Sequence, residues 1–502
     1  MAKNVTGGPG REGPDFRPPR RPGERQRARR TRTGLAALAV LVVAAAGVTS
    51  YHIATSHRPA PPRPGRLAFC PGSTPRFQIF RNNGACVGVT DGSYFFNPSL
   101  APIEHAIAQE NAKVRAQRTY ATVALLTPMT ASASSDVSLP RIKDELAGAY
   151  AAQLAANGSD LSQDQPPVQV VLANEGTSQE LAYGQVTGLL TGMKAAPDNL
   201  RAVIGMGVSV EQTVLGAKIL SKAGIPMIGA VTTADQLDWS NIAGLARVVP
   251  DVSDQVTALQ RYFAAHGGLG SAVLITDTNT SDLYTSDLMK DFTAAFAQDL
   301  TSQPQPFGPG RGEGTELRLI SSSVCPQAGT PPTVLYAGRE SALPTLISKL
   351  QGAPNCGDKQ ITVVTGSDAV ALPPSQTTNQ PREGHVSVVY SDIADPDPRA
   401  VLPQVRQIFA DSPAGTASLS DPWTIATYNA MTAASIAISD AASGSSPVPL
   451  LGTVFGVIPL LSQRQAVPGA TGPFSIGTNG NLINPDVPIL KLTDGSPALL
   501  AS

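Results

Sequence analysis

Short runs of consecutive apolar residues recur along most of this chain, with helical patterns between them, and that alternation limits the architecture more than any other feature. The runs fall at 121–126, 168–172, 202–204, 227–228, 272–275, 317–320, 333–336, 361–364 and 386–389. Helical periodicity fills 141–156, 178–190, 210–223, 252–266, 281–300 and 341–350. Strands that are apolar throughout, rather than alternating, belong to a parallel sheet covered on both faces. A chain of 502 residues with this many strands is too long for one core. The expectation is an α/β protein of two doubly wound parallel-sheet lobes. Aromatics make up only 5% of the residues, so small aliphatic side chains must do most of the packing.

The amino terminus has a different character. Residues 1–33 carry ten basic and three acidic side chains, a net +7 in a chain whose total is −1. Residues 34–54 contain no Lys, Arg, Asp or Glu. A spanning helix needs roughly 20 apolar residues, and basic residues before it hold that end in the cytoplasm. The reading is a basic tail (1–33) too rich in Arg, Pro and Gly to fold alone, then a single transmembrane signal-anchor helix (34–54). A Pro-rich spacer (55–66) and an extracytoplasmic body follow. A cleaved signal peptide, with Val48-Thr49-Ser50 as its site, and lipidation at Cys70 are the alternatives. Export holds in all three. The acidic remainder argues against a nucleic-acid-binding body.

The four cysteines fall into two local pairs, Cys70 with Cys86 and Cys325 with Cys356. In an oxidising compartment disulfides are the natural reading, with free thiols left open. Residues 67–119 form a small cystine-bearing segment and a helix, a collar between membrane and lobe.

In open parallel sheets ligands sit outside the carboxyl ends of the strands. There the residues are small and hydroxylic: Thr127-Pro128-Met129-Thr130, Gly207-Val208-Ser209, Val231-Thr232-Thr233, Asp277-Thr278-Asn279-Thr280 and Gly366-Ser367-Asp368. Each is also a good helix cap. Asp282, Asp287 and Asp291 read as a solvated helix face. No H-E-x-x-H, G-x-S-x-G or phosphate-loop motif occurs, so neither catalysis, metal nor cofactor is expected.

The ordered set ATVALLTPMT, RAVIGMGVSVEQT, AGIPMIGAVTTADQL, SAVLITDTNTSDLYTSDL, VLYAGRESALPTLISKL, ITVVTGSDAV, GHVSVVYSD, DPWTIATYNAMTAASIAI and GATGPFSIGTNGN resembles the type I periplasmic binding proteins. The likeness is to the leucine/isoleucine/valine-binding group and runs from near Tyr120 to the end. It implies a first lobe of 120–248 with 386–476 and a second of 249–385 with 477–502, joined by a three-crossover hinge that closes on a ligand. Carried over by position, Ser209 and Thr233 would hold the carboxylate of an amino-acid-like ligand. The Val231 carbonyl and Asp368 would take its ammonium, Tyr284 would wall the cleft, and Arg339 would face it. The chain departs from the pattern where Val210 and Glu211 replace further hydroxyls, and where Arg339 and Glu340 replace an aromatic or glycine-rich turn. The implied function is solute capture, for an ABC permease. A sensor or scaffold that signals through the helix and tail to a cytoplasmic partner is the alternative.

Overall fold

In the computed structural model the described residues are 68–502, apart from 117–118, 131–136, 159–164, 178–182, 309–311, 326–331, 357–358, 372–385, 414, 443–447, 462–465, 494–495 and 502. The expected basic tail, transmembrane segment and spacer lie outside them. Among the described residues no helix is long and apolar enough to cross a membrane.

The body opens with a hairpin of β1 (Ile79–Asn82) and β2 (Ala85–Thr90). Asn83 and Gly84 turn it, both at positive φ (46° and 86°), the type I′ geometry whose twist matches that of the strands. The Cys70–Cys86 disulfide ties the stretch before β1 to β2. Then come α1 (Ala101–Ala116), β3 (Ala121–Thr127), α2 (Leu139–Ala156), β4 (Val168–Asn174) and α3 (Tyr183–Gly192). β5 (Leu200–Gly205), α4 (Glu211–Lys222), β6 (Met227–Gly229) and β7 (Leu245–Arg247) complete the first pass. The sheet order is β1-β2-β4-β3-β5-β6-β7. It is parallel from β4 to β7, while β2 joins β4 antiparallel. Residues 68–116 are therefore the edge of the first lobe and not a separate collar. Asn111 on α1 fixes them there. Its amide donates to the carbonyls of Asp91 (2.9 Å) and Val170 (2.6 Å), and its oxygen accepts from the Val170 N–H (2.9 Å).

The second sheet is built from α5 (Val252–Ala265), β8 (Ala272–Asp277), α6 (Leu283–Ala295), β9 (Gln305–Phe307), α7 (Glu313–Val324), β10 (Thr333–Ala337), α8 (Leu343–Gln351), β11 (Ile361–Thr365) and β12 (Val386–Ser391). The chain returns to the first lobe through α9 (Pro403–Ala410), α10 (Pro422–Ala441), α11 (Leu451–Val457) and the short pair β13 (Val467–Pro468) and β14 (Pro473–Phe474). It ends as β15 (Ile489–Thr493) and β16 (Ser496–Ala501), which are antiparallel additions to β12. The order is β16-β15-β12-β11-β10-β8-β9. The second disulfide, Cys325–Cys356, joins the ends of α7 and α8.

Two expectations are corrected here. Residues 317–320 are helical, because Leu317, Ile320, Ser321 and Val324 are buried at helical spacing while Leu319 is 58% exposed. The neighbouring strand is instead β9. Residues 386–391 belong to the second lobe, since β12 pairs parallel with β11 over five residue pairs. The crossing follows Ser391, where the Asp392 N–H donates to the Pro488 carbonyl (2.9 Å) of the third crossing.

Each sheet is covered on both faces by its own pair of apolar clusters. α10 lies along α2 so closely that a Cβ at Gly148 would stand 2.3 Å from the Thr424 carbonyl oxygen. Only glycine admits that approach.

Candidate functional site

The carboxyl ends of the parallel strands of both sheets face each other. On the first-lobe wall, Met206 and Gly207 turn at positive φ and deliver Ser209 to the start of α4. Ser209 is 1% exposed. Its hydroxyl accepts the backbone N–H groups of Thr233 (2.9 Å) and Ala234 (3.0 Å). Val231, in the turn after β6, is buried in the first-lobe core.

The second-lobe wall is organised by Arg339. Its Nε and Nη2 donate to the two oxygens of Asp282 at 2.6 and 2.9 Å, and its Nη1 donates to Asp368 Oδ2 at 3.2 Å. The guanidinium lies 4.7 Å from the centre of the Tyr284 ring, a cation–π contact. The Tyr284 hydroxyl accepts the Asp368 N–H (3.2 Å). Burial pushes the titration of that phenol far up. The approach of Tyr284 needs Gly366, where a Cβ would stand 2.5 Å from the hydroxyl oxygen.

The walls touch. Val210 and Asp282 form an antiparallel bridge. Glu211 N–H donates to Ser281 O, and Leu283 N–H donates to Ser209 O, both at 3.0 Å. Leu283 packs into the first lobe's core. Beside it Asp235 N–H donates to Asp287 Oδ2 (2.9 Å), and Lys290 pairs with Asp235 (2.9 Å). Arg339 Nη2 also reaches the Ser209 carbonyl at 3.5 Å.

A second arginine completes the cleft from the other side. Arg141, near the start of α2, lies 4.6 Å from the centre of the Trp423 ring, and its Nη2 is 3.4 Å from Glu340 Oε2 of the opposite lobe. Burial pushes the Glu340 carboxyl up to about 7. It drives Asp392, at the end of β12, well above the carboxylate range. Arg141 Nε and Nη2, Glu340 Oε2, Asp392 Oδ2 and Tyr390 Oη lack hydrogen-bond partners among the described residues. Behind them Glu145, which accepts from Thr127, is raised to about 8 by burial.

The structure thus brings Ser209, Thr233, Tyr284, Arg339 and Asp368 to one cleft, with Val231 behind the first wall. Asp282 and Asp287 are not a solvated face. Asp282 is 3% exposed and both caps α6 and holds Arg339. Sequence reasoning missed Arg141, Asp282, Trp423 and Asp392. Only the unusual Arg339-Glu340 pair signalled that this cleft is more charged than expected. Among the described residues no group of side chains is placed to hold a metal ion.

No family model and no curated protein sequence matches the chain. Solved structures do. An ABC transporter substrate-binding protein from Desulfitobacterium hafniense superposes with a TM-score of 0.58 at 18% identity, covering 76% of this chain and 100% of its own. A branched-chain amino acid transporter substrate-binding protein from Streptococcus pneumoniae, solved with isoleucine, gives 0.56 at 17% identity, covering 76% and 99%. An ABC-transporter solute-binding protein from R. palustris, solved with benzoate, gives 0.54 at 15%, covering 76% and 96%. The fold is that of the type I periplasmic binding proteins.

Proposed function

We propose that the chain is an extracytoplasmic solute-binding protein that closes two lobes over a small, amino-acid-sized solute bearing a carboxylate and presents it to an ABC-type permease. The observation that carries this is the cleft itself. Buried polar atoms of Arg141 on one lobe, Glu340 on the other and Asp392 at the hinge have no hydrogen-bond partners among the described residues, and such groups are stable only when something satisfies them. The solved proteins of this fold that hold isoleucine or benzoate share one ligand feature, a carboxylate. Ser209, Thr233 and Arg141 are the donors available for one here, and Tyr284 is the wall. The body is tethered by residues 34–54, with the basic tail in the cytoplasm. Sedimentation of the chain with membranes, and its release by removal of residues 1–54, tests that part.

A sensor or scaffold of the same fold is the second reading. The backbone bridge between Val210 and Asp282 favours it, because that bridge joins the two walls directly. A thermal-shift screen of amino acids, small carboxylates, polyamines and sugars separates a ligand-binding cleft from a scaffold. A solute at one hundred times its dissociation constant adds about 2.7 kcal/mol. A clear shift with one class supports a ligand-binding cleft, for capture or for sensing, whereas silence in a folded sample supports the scaffold.

A further inference from the structure

The two cleft arginines are used differently. Arg339 gives its Nε/Nη2 edge to Asp282, at 2.6 and 2.9 Å, the forked geometry in which a guanidinium best holds a carboxylate. Arg141 has the same edge, buried with its side chain 4% exposed. Neither Nε nor Nη2 has a hydrogen-bond partner among the described residues. Glu340, 3.4 Å away, contributes charge but no hydrogen bond.

Asp368, to which the family resemblance gives the ligand's ammonium, is already paired with Arg339. So is Asp282. An ammonium entering there would break that network and set a second cation beside a fixed guanidinium. A carboxylate on Arg141 leaves that network intact and competes only with Glu340 for the guanidinium.

We propose that the solute of this cleft is a small carboxylate without an ammonium group, held by the Nε/Nη2 fork of Arg141 against the Trp423 ring, with Arg339 standing where an ammonium would otherwise sit. The inference rests on the solute-binding reading.

Glu340 then acts as competitor. It is faced by Arg141 and Asp421 from the first lobe and by Arg339 and Asp368 from the second. Asp392 and Tyr390, at the end of β12, lie in the same field of Arg141 and Asp421. Protonated, Glu340 leaves Arg141 to the ligand. Ionised, above about pH 7, it claims the arginine and repels the anion. Affinity therefore falls as pH rises from 6 to 8, by about tenfold per unit at most for one linked proton.

The test is calorimetric titration of the full chain at pH 6.5 with 4-methylpentanoate, which is leucine without its ammonium, with benzoate and with leucine. Binding of a carboxylate but not leucine is expected. Arg141→Gln should weaken it by about tenfold or more. Glu340→Gln, nearly isosteric, should keep the affinity and flatten its pH dependence. That second variant decides the matter where circular dichroism shows Arg141→Gln misfolded. Leucine binding in place of the carboxylates overturns the inference and leaves solute capture standing. Carboxylate binding indifferent to Arg141→Gln, or an unflattened pH profile in Glu340→Gln, does the same. No binding of any probe to folded protein overturns the inference and solute capture together.

Discussion

At the scale of single residues the cleft is an electrostatic network whose members depend on one another. Arg339 neutralises Asp282 and Asp368 at once. Removing it by Arg339→Met leaves the buried Asp282 and the half-buried Asp368 without a counter-charge, a loss of about 3–5 kcal/mol. A fall in the urea midpoint at unchanged slope would show it, and Asp282→Asn added to that variant should recover part of the loss. A midpoint equal to wild type would mean that the pairing contributes little. Ser209, Thr233 and Asp368 were legible from sequence because they follow apolar strands directly. Asp282 was not, since an aspartate before a helix caps it in any βα unit, and the ionic partner lies on a distant turn. Arg141 and Glu340 meet only once both lobes are folded, so no local pattern announces them.

Elements were legible where an uninterrupted apolar run met a turn. β3, β4, β5, β8 and β11 lie where the runs placed them. The hairpin strands were harder because ACVGVT and IFRN are short. The 317–320 run misled because four residues cannot separate a period of 2 from one of 3.6. Two predictions belong to this scale. Gly148→Ala should push α10 from α2 and destabilise the fold by about 1–3 kcal/mol, as overpacking does. A lowered melting temperature checks it. Reducing the two disulfides opens loops of 16 and 31 residues, each worth roughly 3–4 kcal/mol in the chain-entropy model. The melting temperature should fall on reduction, and no change would show that neither loop closure matters.

For the whole molecule, buried acids set the pH response. Burial holds Glu104, Asp144 and Glu340 up to about 7 and Glu145 up to about 8. These values exceed those of an unfolded chain, so the folded state carries more protons between them. The stability they contribute is full below about pH 4 and is lost as pH rises through 7 to 8. The melting temperature should therefore fall between pH 5 and pH 8. A rise over that range would mean that these acids are ionised in the fold. The interlobe latch is testable at the same scale. Leu283→Ala removes an apolar anchor from the first-lobe core, and a larger radius of gyration in solution scattering would report opening.

The Cys70–Cys86 bond also has a mechanical side. Tension on the chain ahead of Cys70 passes through the sulfurs to Cys86 and skips the covalent path through β1 and the hairpin turn, which sit inside the closed loop. After the bridge of Phe69 to Phe80, the load falls on β2, held to β1 at Val87 and Gly88 and to β4 at Gly88, Val89 and Thr90. A pull from that end would test these pairs at the sheet's margin before it reached either wall of the cleft.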